Sequence, residues 1–176
     1  YGKIVAVGSC CLGGGDTIVG TPTFGVQCPQ SQSFLEFYDS MQGVVATLYG
    51  GATHTAMGAV FDGVNGYADL NLNSKVMGGP MTIVGVLKWN AFNKYSRLFD
   101  CSSGGATDSI TLANVATTGQ LSWSIYRGSS QKNIRSGNTT DVTIGEWVHR
   151  VATVSGSTMI SYINGVQKGV KVDGHE

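Results

Sequence analysis

The stretch that decides the fold is GEWVHRVATVSGSTMISYINGVQKG, residues 145–169. Two segments rich in β-branched and aromatic residues flank Ser155-Gly156-Ser157, and Asn164-Gly165 marks a second, tighter reversal. Such residues favour strands, and Asn-Gly is a preferred pair for a two-residue hairpin turn. The stretch therefore predicts three successive antiparallel strands.

Two upstream segments show the alternation typical of strands with one buried face. In MTIVGVLKW, residues 81–89, Thr82 and Lys88 flank two valines on the face opposite the predicted core, and QLSWSIYR, residues 120–127, alternates apolar and polar side chains. The predicted core faces consist of Met81, Ile83, Leu87 and Trp89 in the first, and Leu121, Trp123 and Ile125 in the second. No segment is a persuasive long amphipathic helix, and turn signals recur about every ten residues. The sequence predicts an all-β sandwich or barrel.

A further segment, AVFDGVNGYADLNL at residues 59–72, contains two turn dipeptides in close succession. Asp62-Gly63 and Asn65-Gly66 follow an apolar run that ends at Phe61, and the alternating residues 68–72 come next. Because Asp-Gly and Asn-Gly are strong hairpin signals, the segment predicts a strand, a tight reversal and a half-buried strand.

Composition limits the classes of function. The chain has 176 residues, 26 of them glycine and 3 proline, and its 11 basic side chains balance 11 acidic ones. With no net charge, the sequence offers no general attraction for nucleic acid or an anionic membrane surface. No apolar run reaches the roughly 20 residues that cross a bilayer, so membrane insertion is not expected. Because the chain starts at Tyr1 without a signal segment, we expect a processed or partial product.

The four cysteines are Cys10, Cys11, Cys28 and Cys101, and none has the spacing of a zinc site. An even number without metal spacing favours disulfides and an oxidising compartment. Adjacent Cys10 and Cys11 are poor partners for each other, so one is expected to pair with Cys28 and the other with Cys101, and a bond to another chain stays open. Residues 1–32 predict a Cys- and Gly-rich extension, or the end of a preceding module.

Three segments, GAVFDGVNGYADL, MTIVGVLKW and residues 145–169, resemble in order and spacing the laminin-G-like/concanavalin A-like domains. FYDSMQGVVATLYGGAT, residues 37–53, looks like the entry strand of the same family. The resemblance covers about residues 33–170. It implies a two-sheet antiparallel jelly-roll β-sandwich, as in laminin G and pentraxin-type domains, over residues 33–176. Because such domains usually continue after the Asn-Gly hairpin, the last strands are expected to be missing or supplied by another chain.

Enzyme activity is not expected, although the family includes glycoside hydrolases. A retaining glycosidase needs two carboxyl groups about 5 Å apart, whereas Glu36, Glu146 and Glu176 are widely separated in the sequence. Cys101 beside Asp100, with His149 far along the chain, lacks the sequence context of a nucleophilic site. His149 is predicted to be structural.

Calcium is the candidate cofactor, since the resemblance implies calcium and ligand sites at the loop rim, and hard cations need convergent oxygen ligands. Each candidate is also an ordinary turn-forming residue. The candidate ligands are Asp62, Asn65, Asp100, Asp108 and Asp173.

Carbohydrate recognition usually combines an aromatic ring with nearby polar groups. The alternation predicts Trp89, Trp123 and Trp147 in the core, which leaves Tyr67, Tyr95 and Tyr126 as contact candidates. The sequence Asn138-Thr139-Thr140 is an N-glycosylation acceptor in a polar loop, and it favours secretion.

These observations predict a secreted or cell-surface, non-enzymatic recognition or adhesion module that binds glycans or extracellular glycoproteins. The alternative is a structural subunit of a matrix, coat or filament, assembled with other copies or other chains through protein contacts and disulfides. A glycoside hydrolase is a distant third. Resemblance of fold does not decide among these functions, because one fold hosts many.

Overall fold

The structure is a computed structural model, and it describes residues 2–4, 24–26, 36–39, 42–45, 47–55, 58–69, 79–102 and 108–175. All regular elements in these ranges are β-strands, sixteen in number. The predicted all-β class is therefore confirmed, and the antiparallel sheets are consistent with a jelly-roll sandwich. No helix within the described ranges is long and apolar enough to span a membrane.

The larger sheet has seven strands in the order β13-β12-β11-β10-β1-β8-β5. In chain order its strands are β1 (Gly2–Ile4), β5 (Thr47–Tyr49), β8 (Tyr67–Asp69), β10 (Arg97–Ser102), β11 (Ser109–Asn114), β12 (Leu121–Arg127) and β13 (Ser130–Arg135). β1 lies inside this sheet, with Lys3 opposite both Asp100 and Asp69. β1 is thus part of the larger sheet although it comes before residue 33, where the sequence predicts that the sandwich domain begins. That domain boundary stays a prediction.

The second sheet has four strands in the order β16-β15-β14-β9. Its strands are β9 (Met81–Lys88), β14 (Trp147–Ser155), β15 (Thr158–Ile163) and β16 (Val166–Lys171). The predicted reversals after Ser155 and at Asn164-Gly165 are confirmed, since β14 pairs with β15 and β15 with β16. Asn164 and Gly165 both have positive φ, 50° and 76°, as this tight turn requires.

Two smaller sheets complete the described strands. One joins β2 (Phe24–Val26), β3 (Glu36–Asp39) and β4 (Gln42–Val45), and the other joins β6 (Thr53–Thr55) and β7 (Gly58–Val60). The predicted hairpin at residues 59–72 is wrong in its pairing: β7 pairs with β6, whereas β8 pairs with β1 and β5. The loop 61–66 therefore connects two sheets. Turn dipeptides specify a reversal of the chain, but long-range packing selects the strand's partner.

The core lies between the two large sheets and follows the alternation read from the sequence. Trp123, Leu112 and Leu121 from the larger sheet and Met159 and Val154 from the smaller one are at most 2% exposed. Burying each such side chain contributes about 2 kcal/mol. Trp89 is buried as predicted, but Trp147 is 43% exposed. The core prediction for Trp147 is wrong because Val148, Arg150, Ala152 and Val154 occupy the inward positions of β14.

Candidate functional site

The two ends of the sandwich differ in how their loops are held. The name "loop end" is used for four neighbouring segments at one end, namely the turn 50–52 and the loops 61–66, 92–96 and 115–120; the segment 136–146 and the turn 164–165 lie at the same end. The "far end" comprises Asp108, the turn 128–129, the turn 156–157 and residues 172–174. Loops positioned by a rigid scaffold are where binding residues concentrate in most folds.

Asp62 organises the loop 61–66. Its Oδ1 accepts hydrogen bonds from the backbone N–H groups of Val64, Asn65 and Gly66, at 3.0, 3.1 and 2.8 Å. The hydrogen bond from Val64, followed by that from Gly66, lowers the pKa of Asp62 from its ordinary value. Oδ1 is thus already used by the loop's own backbone, as in other turns that an aspartate initiates.

Asn65 and Asn93 attach this loop to its neighbours. The Gly51 N–H donates to Asn65 Oδ1 at 3.0 Å, and Asn93 Nδ2 donates to the Gly63 carbonyl at 3.0 Å. A Cβ at Gly51 would overlap the Asp62 carboxylate, so the two loops approach closely only because residue 51 is glycine. Three of the four loop-end segments are therefore one connected unit.

Asn114, at the end of β11, connects the remaining loop and is 0% exposed. Its Nδ2 lies 3.1 Å from the Asn93 carbonyl, 2.9 Å from that of Ala116 and 3.3 Å from that of Thr118. Three carbonyl acceptors around one atom identify that atom as the amide nitrogen. Asn114 thereby fixes the loops 92–96 and 115–120 relative to each other.

Tyr95 and Ala116 lie in the two loops that Asn114 connects. Both residues have the left-handed backbone conformation. Their φ angles are 56° and 51°, and the Tyr95 N–H donates to the Ala116 carbonyl at 3.1 Å. The Tyr95 side chain is 48% exposed. This conformation is costly for residues other than glycine, asparagine and aspartate, and such strain concentrates at functional sites. The structure therefore holds the Tyr95 ring in solvent in one backbone conformation.

A second aromatic surface lies beside the turn 50–52. Tyr67, at the start of β8, stacks on Tyr49, with ring centroids 5.1 Å apart and an interplanar angle of 20°. Tyr49 is 45% exposed, and Val64 in the adjacent loop is 87% exposed. Of the three tyrosines predicted as contacts, the structure places Tyr67 and Tyr95 at the loop end. Tyr126 lies near the opposite end of β12.

The five predicted calcium ligands do not converge. Asp62 and Asn65 lie at the loop end and Asp100 lies in β10 beside Arg97, whereas Asp108 and Asp173 lie at the far end. Within the described ranges, no three side chains of His, Cys, Asp or Glu form a group that could hold a metal ion. A calcium site stays a prediction, and a cation at the loop end would need backbone and amide oxygens.

The predicted calcium ligands at the far end have local structural partners. The Gly128 N–H donates to Asp108 Oδ1 at 2.7 Å. Asp173 forms ion pairs with Lys132 at 2.8 Å and Lys171 at 3.0 Å, which lower its pKa to about 2. These two aspartates therefore stabilise the turns in which they lie.

Cys101 and His149 lie in different sheets, so the structure does not bring them together as a catalytic pair. Burial raises the pKa of the Cys101 thiol, and Asp100 raises it further, so the neutral thiol predominates at neutral pH. Cys101 is a free thiol within the described part of the chain. Its predicted partners Cys10, Cys11 and Cys28 lie outside that part, and disulfide pairing stays a prediction.

Asn138 lies in an exposed turn between β13 and β14. Its backbone N–H donates to Asp141 Oδ2 at 3.0 Å, and its side chain is exposed. An acceptor asparagine must be reachable by the modifying enzyme, and this position satisfies that condition. Glycosylation at Asn138 itself stays a prediction.

Sequence reasoning missed two buried polar residues, Asn114 and Arg150. Arg150 alternates with Val148 and Ala152 at inward positions of β14, so its 1% exposure was open to prediction from the strand pattern alone. Asn114 closes the apolar run SITLA before a turn-forming segment, but nothing local indicates that its amide reaches three carbonyls.

No curated protein matches the sequence significantly. One solved structure that matches is described as an S-layer domain-containing protein (residues 221–444) from Clostridium thermocellum ATCC 27405, with 24% identity over 85% of this chain and 70% of that chain and a TM-score of 0.44.

The family model Laminin_G_3, described as the concanavalin A-like lectin/glucanases superfamily, matches residues 62–176. The match begins within the Asp62 loop and includes the loops 92–96 and 115–120, so most of the loop end lies inside it. Since it extends over more than half of the 176 residues, the chain belongs to the concanavalin A-like lectin/glucanases superfamily.

Proposed function

We propose that this protein is a non-enzymatic, extracellular recognition module that binds carbohydrate or glycoprotein at its loop end. The observation that carries the proposal is Tyr95. Its ring is 48% exposed, yet its backbone is held at φ 56° by a hydrogen bond to Ala116. Folding alone gains nothing from an exposed aromatic ring on a strained backbone, whereas a binding surface gains from a ring that is already in place.

Polar groups near Tyr95 suit a sugar. Asn93 follows the half-buried Phe92, Lys94 is exposed, and Ser96 Oγ donates to the Asn93 carbonyl at 3.0 Å. Sugar recognition needs one aromatic face for C–H groups and amide or hydroxyl groups for the sugar hydroxyls. The Tyr49–Tyr67 stack gives the same end a second ring, which suits a ligand longer than one sugar unit.

Binding without catalysis is the better match to the acidic side chains. At the loop end Asp62 uses Oδ1 for three backbone amides, and Glu146 is exposed next to Gly145 in a separate loop. Glycoside hydrolysis requires a pair of carboxyl groups on either side of the scissile bond. The superfamily includes glucanases, and we therefore test for hydrolysis directly.

The test is glycan-array binding of the whole chain with calcium and then with a chelator. Wild-type protein is expected to bind a restricted set of glycans, and Tyr95→Ala is expected to lose about tenfold or more in affinity. Tyr126→Ala is the matched control, because it removes the same ring from the other end of the sandwich. Loss of glycan binding after chelation would show that binding requires calcium. Hydrolysis of a bound glycan would contradict the non-enzymatic assignment.

An assembly subunit is the second candidate, and the outer face of the four-stranded sheet favours it. Val84 is 44% exposed and lies opposite Val151, which lies opposite Tyr162. Val170 of β16 is 54% exposed and lies opposite Ile160. A contiguous apolar face of this kind often marks a protein contact.

Sedimentation at rising protein concentration tests the second candidate. If this face joins copies of the chain, Val84→Lys should shift the protein to monomer while leaving glycan binding at the loop end unchanged. A folded wild-type protein that stays monomeric and binds no glycan would exclude self-association through this face and the lectin function together.

A further inference from the structure

The chain contains two Asn-Gly pairs, Asn65-Gly66 and Asn164-Gly165. The residue before the asparagine is β-branched and aliphatic in both pairs, a valine in the first and an isoleucine in the second. In such a pair the backbone nitrogen of glycine can attack the side-chain amide of asparagine, because no side chain shields that nitrogen. The local sequences are closely matched, so a difference in reactivity between the two asparagines must come from the fold.

The Gly66 nitrogen is held by the loop in which it lies. Its N–H donates to Asp62 Oδ1 at 2.8 Å, and the carboxylate of an aspartate is charged at neutral pH. A Cβ at Gly66 would lie 2.9 Å from the Ala52 nitrogen and 3.2 Å from the Gly51 carbonyl carbon, so the backbone here is enclosed. Attack by this nitrogen requires loss of the hydrogen bond, and the adjacent negative charge opposes removal of the N–H proton.

The Gly165 nitrogen is open to solvent. Asn164 and Gly165 form the exposed turn between β15 and β16. Among the residues that the structure describes, none accepts a hydrogen bond from the Gly165 N–H, and a Cβ at Gly165 would meet no atom within 4 Å. Both asparagines use Oδ1 in the same way, since Asn164 accepts the His149 N–H at 2.9 Å and Asn65 accepts a backbone N–H at 3.0 Å. The two sites therefore differ in the attacking nitrogen.

We propose that Asn164 is a site of spontaneous deamidation and that the fold protects Asn65 from the same reaction. The Gly165 nitrogen gives up its proton and forms a bond with Asn164 Cγ, and the side-chain nitrogen leaves as ammonia with that proton. The product is a cyclic imide, which water then opens at one of its two carbonyls. Opening at Cγ gives aspartate. Opening at the main-chain carbonyl gives isoaspartate, whose backbone runs through Cβ and Cγ.

The two products have different effects on the hairpin. Aspartate keeps an oxygen that can accept the His149 N–H, and it tolerates the positive φ of residue 164. Isoaspartate lengthens the main chain inside a two-residue turn, and the length of that turn sets the register of β15 and β16. The isoaspartate form is therefore expected to unfold more readily than the aspartate form.

The test is incubation of the folded whole chain at mildly alkaline pH, where a backbone nitrogen loses its proton more readily. Mass spectrometry of the peptides that contain each asparagine then gives the two rates. Aspartate and isoaspartate should form at residue 164 about tenfold faster than at residue 65, because Gly66 must first lose a hydrogen bond to a charged carboxylate. In urea the two rates should become similar. Equal rates in the folded chain, or faster conversion of Asn65, would overturn the proposal.

Asp62→Ala tests the protection of Asn65 directly. The change removes the acceptor of the Gly66 N–H and leaves the turn between β15 and β16 as it is, so the rate at Asn65 should rise while that at Asn164 stays the same. Asp108→Ala is the matched control, because Asp108 Oδ1 likewise accepts a glycine N–H in a turn but lies at the far end. It should change neither rate. An unchanged rate at Asn65 in Asp62→Ala would contradict protection by this carboxylate.

Discussion

The two ends of the sandwich use different interactions for the same task of holding loops in place. At the loop end a fully buried amide, Asn114, contacts three backbone carbonyls, and Asp62 accepts three backbone N–H groups. At the far end Asp173 links Lys132 and Lys171 through ion pairs in solvent. The hydrogen bonds of the buried Asn114 amide are costly to lose, whereas the exposed hydrogen bonds of Asp62 and the surface ion pairs of Asp173 contribute less. One side chain, Asn114, is therefore expected to contribute more stability at the loop end than Asp173 does at the far end.

The strongest way to break the loop end is Asn114→Ala. The change removes the fully buried amide that donates to the carbonyls of Asn93, Ala116 and Thr118 and leaves unfilled space in its place, so the unfolding free energy should fall by about 3 kcal/mol. Urea denaturation measures this. Asn133→Ala on β13 is the control and should change stability by less than about 0.5 kcal/mol. Equal losses in the two variants would remove the special role of Asn114.

Gly51→Ala tests the close approach of two loop-end segments. The new Cβ would overlap the Asp62 carboxylate, and Asp62 cannot turn away without losing its three amide contacts. We expect a loss of about 2 kcal/mol in unfolding free energy. Gly137→Ala serves as the control, since a Cβ there meets no atom within 4 Å. If Gly51→Ala leaves the unfolding free energy unchanged, the loop 61–66 moves at little cost to make room for the new Cβ.

A smaller change in stability should distinguish the backbone strain at Tyr95 from the contribution of its ring to binding. Because φ is 56°, Tyr95→Gly should be more stable than Tyr95→Ala by about 1 kcal/mol, although both lose the ring and hence glycan binding. At Tyr126, in β12, the order should reverse, since glycine weakens a strand. Thermal unfolding of the four variants compares the two positions directly. The same order at both positions would argue against backbone strain at Tyr95.

The far end should give the smallest effect. The ion pairs lower the pKa of Asp173 from the ordinary 3.8 to about 2, so the folded state holds its proton less tightly than the unfolded state. The stabilisation is therefore fully present above pH 3.8 and is lost as pH falls towards 2. The stability difference between wild type and Asp173→Asn should vanish over that interval and in high salt. A stability difference that persists at low pH would show that Asp173 makes a stabilising contact other than the ion pairs.

The fold was largely open to prediction because its signals are local. The alternation in residues 81–89 and 120–127 and the two turns of residues 145–169 specify which side chains face inward and where the chain reverses. The loop 61–66 was misread as a hairpin since its dipeptides say nothing about partners, and β7 and β8 belong to different sheets. Trp147 faces outward, contrary to the prediction, because Val148, Arg150 and the residues that alternate after them take the inward positions of β14.

The candidate site was predictable only in part, for a related reason. Tyr67 and Tyr95 stood out as aromatics in polar surroundings, but the sequence did not show that they share an end while Tyr126 does not. Asn114 acts through carbonyls up to 21 residues away, and a contact of that range has no local pattern. Arg150 was visible as an inward position of β14, whereas the side chains that surround it come from both sheets.

The position of β1 has a consequence for how the chain folds. Gly2 lies opposite Cys101 and Ile4 lies opposite Ala68, so β1 lies inside a sheet whose neighbouring strands are made much later. A ribosome adds about 5 to 20 residues per second, and contacts of such long sequence separation slow folding. During synthesis β1 therefore cannot pair with β10 until about 100 further residues have been made. In the seconds before that pairing, the edge of β1 that later pairs with β10 is open, and an unpaired strand edge is a template for pairing with another chain.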